Sequence, residues 1–313
     1  EKALRTLAGI GLVAVATIVG ASVPDLSMIA FVSDRDGSDD IFVMYEDGSM
    51  PTNLTRSPLD WDRDPAWSPN GERIVFVRNG AITIMRADGT DVNELVRRGE
   101  TPAWSPDGNW IAYTASPSSS SGQETRVVNV NGTGNLPLTY YLRDLAGPAW
   151  SPDGSELAVS NGNIALIDPT LDDSEQTYDW VGAPQSAYGV AWAPDGSSLA
   201  IHAFGQNRDF DIYVQNPGGR EWLQLTNTQG LDADPAWSPD GTKIAFWTVR
   251  DDPVQDPWPG NGEIYIMSTD GSNQENITNS AAHDWAPAWR PPRGQKTAIH
   301  LLTWGMLKRL LLK

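Results

Sequence analysis

The sequence predicts an all-β fold, a six-bladed propeller with four-stranded blades. Three observations carry this: a phrase that occurs six times, the spacing of its copies, and the strand pattern between them. The phrase is PAWSPNG from Pro65, PAWSPDG from Pro102, Pro148 and Pro235, VAWAPDG from Val190 and PAWRPPR from Pro287. Its tryptophans (Trp67, Trp104, Trp150, Trp192, Trp237 and Trp289) stand 37, 46, 42, 45 and 52 residues apart. That is the period of a four-stranded blade rather than of a helical repeat, and 313 residues leave room for six such blades in one ring.

Each copy but the last runs into an apolar triplet: Ile74-Val75-Phe76, Ile111-Ala112-Tyr113, Leu157-Ala158-Val159, Leu199-Ala200-Ile201 and Ile244-Ala245-Phe246. A second apolar run follows, such as Ile82 to Met85 or Ile264 to Met267. Both runs are short and bounded by Gly, Asp and Asn, as strands are. Asp47-Gly48, Asp88-Gly89, Asn131-Gly132 and Asp270-Gly271 then supply residues that tolerate the positive φ of tight hairpins. An edge strand comes last: Asn53-Leu54-Thr55, Pro137-Leu138-Thr139, Gln224-Leu225-Thr226 and Asn276-Ile277-Thr278. Pro137 suits an edge, where one ladder donor can be spared.

With the phrase as strand a, each repeat lays down strands a to d. The residue before Trp is always alanine (Ala66, Ala103, Ala149, Ala191, Ala236, Ala288), as an innermost strand crowded round an axis requires. The six tryptophans are read as structural wedges between neighbouring blades rather than as ligand stackers. The chain enters with a strand b at Met28 to Phe31 and leaves with a strand a at Pro287 to Trp289. The two ends are therefore expected to share one blade, which leaves no open sheet edge.

Residues 25–294 are assigned to the propeller, 1–24 to a leader and 295–313 to a tail. Thr6 to Val23 is an uncharged run behind Lys2 and Arg5 that ends in Gly20, Ala21 and Ser22. It is expected to be an apolar helix acting as a cleaved signal peptide or an uncleaved membrane anchor, with the propeller outside the cytoplasmic membrane. Gly9, Gly11 and Ala14 spell GxGxxA, but no strand precedes them and the match is fortuitous. In the tail, Ile299, Leu302, Met306 and Leu310 recur at helical spacing with Lys308, Arg309 and Lys313 and no acid, a short basic amphipathic helix.

Between these ends, residues 25–289 hold 14 Lys and Arg against 39 Asp and Glu, a net charge of −25. Such a surface repels phosphate backbones, which argues against nucleic acid and leaves proteins, peptides or cations as partners. There is no cysteine, hence no disulfide, thiolate metal site or Cys nucleophile.

PAWSPDG followed by an IAF-type strand, then DIFVMYEDGS (Asp40 to Ser49) and an LT-type strand, resembles the repeats of TolB-like six-bladed propellers. The first repeat, FVSDRDGSDDIFVM from Phe31 to Met44, matches best, and the resemblance covers about residues 26–293. It departs in the fourth copy, where Val190 replaces Pro and Ala193 replaces Ser, and in the indistinct outer strands around Asp168 to Trp180. The resemblance implies a non-catalytic, extracytoplasmic and monomeric propeller that docks a protein or peptide. The α/β domain that precedes the propeller in the family's namesake is not among these residues, so a role in outer-membrane assembly is not carried over. Similar propellers serve as sensor modules of membrane-anchored kinases and as gating modules of prolyl-oligopeptidase-like peptidases, and the fold does not choose among these.

Loops leading into strand a and loops joining b to c share one face of such a ring, and the PDG and DG turns share the other. On the first face the residue three before the proline is Asp62, Asp232 or Asp284 in three consecutive blades, and Gly99, Leu145 or Ala187 in the others. With Asp64 and Asp234 these acids are expected to form an arc on one side of the channel mouth. The longest insertion, Asp251 to Gly262, brings Trp258 between Pro257 and Pro259 to the same rim, with Trp61 and Trp285 nearby. A partner with a basic and an apolar part fits that surface. The plainer reading is that the acids cap turns and the tryptophans pack on loop backbone. Asp34, Asp36 and Asp39 resemble part of a calcium loop but lack its downstream bidentate Glu. Ca²⁺ is the one cofactor considered there, and a hairpin turn explains the segment more simply.

His202, His283 and His300 are too few for a His-rich metal site, and neither HExxH nor GxSxG occurs. The enzymatic alternative is a carboxylate-based hydrolase or lyase at the channel mouth, whose mark would be an acid–base pair with one raised pKa.

Overall fold

A computed structural model describes residues 27–116, 122–139, 146–160, 162–171, 175–184, 186–205, 209–215, 221–251 and 260–292. The leader, the basic tail and Trp258 lie outside the described residues. The chain opens with β1 (Met28–Ser33), β2 (Asp40–Tyr45) and β3 (Thr52–Asn53). Five four-stranded blades follow. They are β4 (Asp62–Trp67) to β7 (Asn93–Val96), β8 (Glu100–Trp104) to β11 (Leu136–Pro137), β12 (Ala146–Trp150) to β15 (Asp179–Trp180), β16 (Ala187–Trp192) to β19 (Trp222–Gln224), and β20 (Asp232–Trp237) to β23 (Glu275–Asn276). The last strand, β24 (Asp284–Trp289), lies beside β1, so the first sheet has the order β24-β1-β2-β3 and Ile29 sits opposite Trp289. All strand pairs are antiparallel, and among the described residues there is no helix. We number the blades from this joint one.

The repeated phrase has a physical reading residue by residue. In PAWSPDG the serine hydroxyl donates to the aspartate two residues on and accepts the N–H five residues on: Ser238 Oγ to Asp240 at 2.7 Å and Lys243 N–H to Ser238 Oγ at 2.9 Å. Ser151 repeats the pattern with Asp153 and Glu156. In blade 5 Ala193 cannot, and that turn keeps the backbone bonds Ala193 to Ser198 and Gly196 to Ala193, with Asp195 accepting from the N–H and hydroxyl of Ser197. Strand a is the inner edge of each sheet, where Pro costs no ladder donor.

The LT motif works similarly at the outer edge. In the four blades that carry the motif, strand d is two or three residues long and ends before its leucine or isoleucine, earlier than the sequence implies. Beyond it, Leu54 N–H donates to Ile41 O at 2.9 Å while Thr55 Oγ1 accepts the Ile41 N–H at 3.0 Å. The same double bond joins Leu138 and Thr139 to Thr125, Leu225 and Thr226 to Ile212, and Ile277 and Thr278 to Ile264. A hydroxyl thus replaces the carbonyl that a longer strand d would supply.

Six apolar clusters fill the six junctions between blades, each drawing on two adjacent sheets and each containing or touching one phrase tryptophan. Trp67, Trp150 and Trp289 are buried. Trp104, Trp150 and Trp192 donate their indole N–H to the phrase alanine of the preceding blade (Ala66, Ala103 and Ala149) at 3.1–3.3 Å. Replacing a buried aromatic of this size by alanine costs roughly 3–5 kcal/mol, so these wedges hold the ring together.

Candidate functional site

The inner strands converge on a cavity of about 520 Å³ at the centre of the ring. Every strand a breaks its pairing register just before the phrase alanine, a β-bulge repeated six times. The bulge puts one residue per blade on the cavity wall: Asp64, Thr101, Gly147, Gly189, Asp234 and Ala286. Five of these adopt φ near +50°: Asp64, Thr101, Gly189, Asp234 and Ala286. That region is costly for Ala and more so for β-branched Thr. Five prolines (Pro65, Pro102, Pro148, Pro235 and Pro287) complete the wall. Lacking N–H groups, they leave it poor in donors.

Two carboxylates face this space. Asp64 accepts the Thr101 N–H, and burial together with the nearby Asp234 carboxylate pushes its pKa up to about 6. Asp234 accepts the Trp247 indole N–H at 2.8 Å, and its own N–H donates to His202 Nδ1 at 3.2 Å. Because Nδ1 accepts there, the imidazole is the neutral Nε2–H tautomer, and burial holds its pKa below the ordinary value against the pull of Asp234. Tyr188 stacks on His202 at 6.1 Å and Phe210 meets it edge-on at 5.5 Å. Gly189 is required here, because a Cβ would lie 2.5 Å from His202 Nδ1.

The five acids read from the sequence do not act together. Asp62, Asp232 and Asp284 have no exposed surface, and each is paired with an arginine. Arg78 holds Asp62 through two bonds of 2.7 Å, Arg250 holds Asp232 at 2.9 Å and Arg35 holds Asp284 at 2.9 Å. Each guanidinium also lies over an aromatic ring, Phe76, Tyr265 and Phe42 respectively. The expected arc therefore reduces to Asp64 and Asp234, because a buried carboxylate keeps its charge only with a partner at hand. Trp285 also leaves the rim: it is partly buried in strand a, opposite Val32, in the cluster between blades 1 and 2. Trp61 is 62% exposed beside Leu59, which is 92% exposed. Asp34 and Asp36 are spent on local bonds to the His283 N–H and the Asn53 amide, and among the described residues no three metal-ligating side chains converge.

Sequence reasoning missed His202, Tyr188, Phe210 and Trp247. A usable signal existed at the residue that follows the apolar triplet of strand b. Blades 1 and 2 carry Val32 and Val77 there, while blades 5 and 6 carry His202 and Trp247. A polar ring in an otherwise apolar strand, opposite the bulge, marks a side chain reaching inward.

Comparisons with known proteins place this geometry. Residues 14–154 match the family described as TolB beta propeller domain. A TolB homolog of Chlorobium luteolum is 37% identical over 59 residues, 19% of this chain and 12% of that protein. An uncharacterised peptidase of Bacillus subtilis is 30% identical over 94 residues, 27% of this chain and 13% of that protein. The matched stretches thus span a small part of these relatives. Among solved structures, TolB from Acinetobacter baumannii superposes with a TM-score of 0.71 at 21% identity, over 85% of this chain and 67% of that one.

Proposed function

We propose that this chain, a TolB-like six-bladed propeller, is an extracytoplasmic docking module that binds a protein or peptide on the face where its channel opens. The observation that carries the reading is an exposed apolar pair, Leu59 and Trp61, on the loop leading into β4. Asp60 lies between them and is anchored to Asn79 at 2.7 Å. Isolated exposed apolar residues are ordinary, but an aromatic and an aliphatic side chain together beside a concave mouth fit the anchor of an interface. The opposite face is made of uniform turns whose aspartates are consumed by their own backbone. The uncharged run Thr6 to Val23 behind Lys2 and Arg5 supports the location.

A photo-crosslinking residue at Leu59 tests the reading against one at Thr242 on the turn face, in cells of the source organism. Capture of one defined partner from position 59 alone supports it; equal capture from both, or none, overturns it. Fusion of residues 1–292 to alkaline phosphatase, active only after export, tests the location.

A second reading is favoured by one observation, the Asp64 and Asp234 pair with Asp64 raised to about 6. Paired carboxylates with separated pKa values are the usual equipment of a hydrolase or lyase. The proline-lined wall offers few N–H donors to a developing oxyanion, which is why docking is preferred. Turnover of an oligosaccharide or peptide panel, lost in Asp64→Asn, would establish the enzymatic reading.

A further inference from the structure

We infer that the channel mouth seats the guanidinium or ammonium group of a partner's arginine or lysine between the Asp64 and Asp234 carboxylates, with its aliphatic stem against Tyr188 and Phe210. This rests on the docking reading above and gives it a chemistry.

Four observations converge. First, the ring treats its acids in two ways. Asp62, Asp232 and Asp284 each carry an arginine of their own, whereas among the described residues no Lys or Arg is within ion-pair distance of Asp64 or Asp234. Second, the two carboxylates repel each other across a shared cavity, and a cation between them would turn that repulsion into attraction. Third, the wall is rich in acceptors and poor in donors: it carries two carboxylates and five prolines, whose nitrogens bear no hydrogen. An anion would find few groups to hold it, while a cation has hydrogen-bond acceptors and aromatic rings at hand. Fourth, a space of about 520 Å³ is in the range of side-chain and small-ligand pockets. Two carboxylates alone are too few for a hard divalent ion, which takes six or more oxygens.

Affinity must then follow the charge of the site. Arg63 and Glu100 also act on Asp64, and Asp234 acts on His202. As pH falls through about 6, Asp64 gains a proton, while burial holds the His202 pKa below its ordinary value. Loss of the Asp64 charge weakens the seat for a cation, so binding is stronger at pH 7.5 than at pH 5.

The Trp247 indole, bonded to Asp234, is a built-in reporter. We would titrate the whole chain with N-acetyl-arginine amide, N-acetyl-lysine amide and the uncharged isostere N-acetyl-citrulline amide. The Trp247 indole N–H resonance, assigned through Trp247→Phe, is followed by NMR. The expected result is a saturable shift with the arginine or lysine probe and at least tenfold weaker response to citrulline. Affinity should fall at least tenfold at pH 5 and in Asp64→Asn, whose fold is checked by circular dichroism. Response to one cationic probe alone identifies guanidinium or ammonium as the seated group. Equal binding of citrulline, no response to either cation, or unchanged affinity in Asp64→Asn overturns the inference. A partner crosslinked at Leu59 with no cation response would retire this inference and leave the docking reading standing; the reverse result would do the opposite.

Discussion

In blades 6, 1 and 2, strand a begins with an aspartate buried beneath an arginine that lies on an aromatic ring. In blades 3 and 5 the same corner is closed by Gly99, where a Cβ would lie 2.6 Å from Tyr113, and by fully buried Ala187. The halves differ at the rim too. The turn glycines Gly48, Gly89 and Gly271 of blades 1, 2 and 6 sit against carbonyls of the preceding blade, at Ile277, Leu54 and Leu225, while a Cβ at Gly132 of blade 3 would meet nothing within 4 Å. One repeat thus meets one packing problem with an ionic clamp or an apolar plug. The clamp neutralises its own acids, so acidity in the sequence is not acidity at the surface.

The largest test removes a clamp. Arg78→Met strands Asp62 in the interior and should cost roughly 3–5 kcal/mol in urea unfolding, while adding Asp62→Leu should restore most of it. Repair that fails in the double variant would mean the clamp does more than neutralise charge. Next come the turns. Gly48→Ala drives a Cβ into the Ile277 carbonyl and should cost about 2–3 kcal/mol, against about 1 kcal/mol for Gly132→Ala, where only the positive φ is at stake. Equal losses would erase the distinction between the halves.

The channel acid should behave in the opposite sense to a clamped one. An acid whose pKa rises on folding holds its proton more tightly in the folded chain, so stability falls as pH climbs from about 4 to about 6. Asp64→Asn should therefore stabilise the ring at pH 8 by about 1–2 kcal/mol and change nothing at pH 4. The smallest contrast lies in the wedges. The indoles of Trp104, Trp150 and Trp192 each bond an alanine carbonyl, whereas the buried Nε1 atoms of Trp67, Trp237 and Trp289 have no partner among the described residues. Trp104→Phe should cost about 1 kcal/mol more than Trp67→Phe.

Blade number, strand order and the wedge tryptophans were legible because a six-fold repeat states the same local chemistry six times, and its period admits one architecture. The sharing of a blade by Met28 and Trp289 followed from counting strands. The site was half legible. Asp64 and Asp234 stood out as acids beside a repeated proline, but nothing in the sequence separates them from Asp62 and Asp232, two positions away in the same strands. A bulge decides it: the register break sends one acid to the axis and the other under an arginine that lies 16 or 18 residues further on. His202 lines the cavity opposite the bulge at Gly189, and Trp247 meets the site through its bond to Asp234, each a property of two strands jointly that no single segment declares.

The joint sheet also sets a timetable for synthesis. Until Trp289 has left the ribosome, β1 keeps an unsatisfied backbone edge next to the entire unfinished toroid. The nascent polypeptide must therefore carry that sticky flank while all the intervening blades are synthesised. A stop codon just ahead of Asp284 removes the strand that closes the ring, and it should yield a gapped, self-associating species.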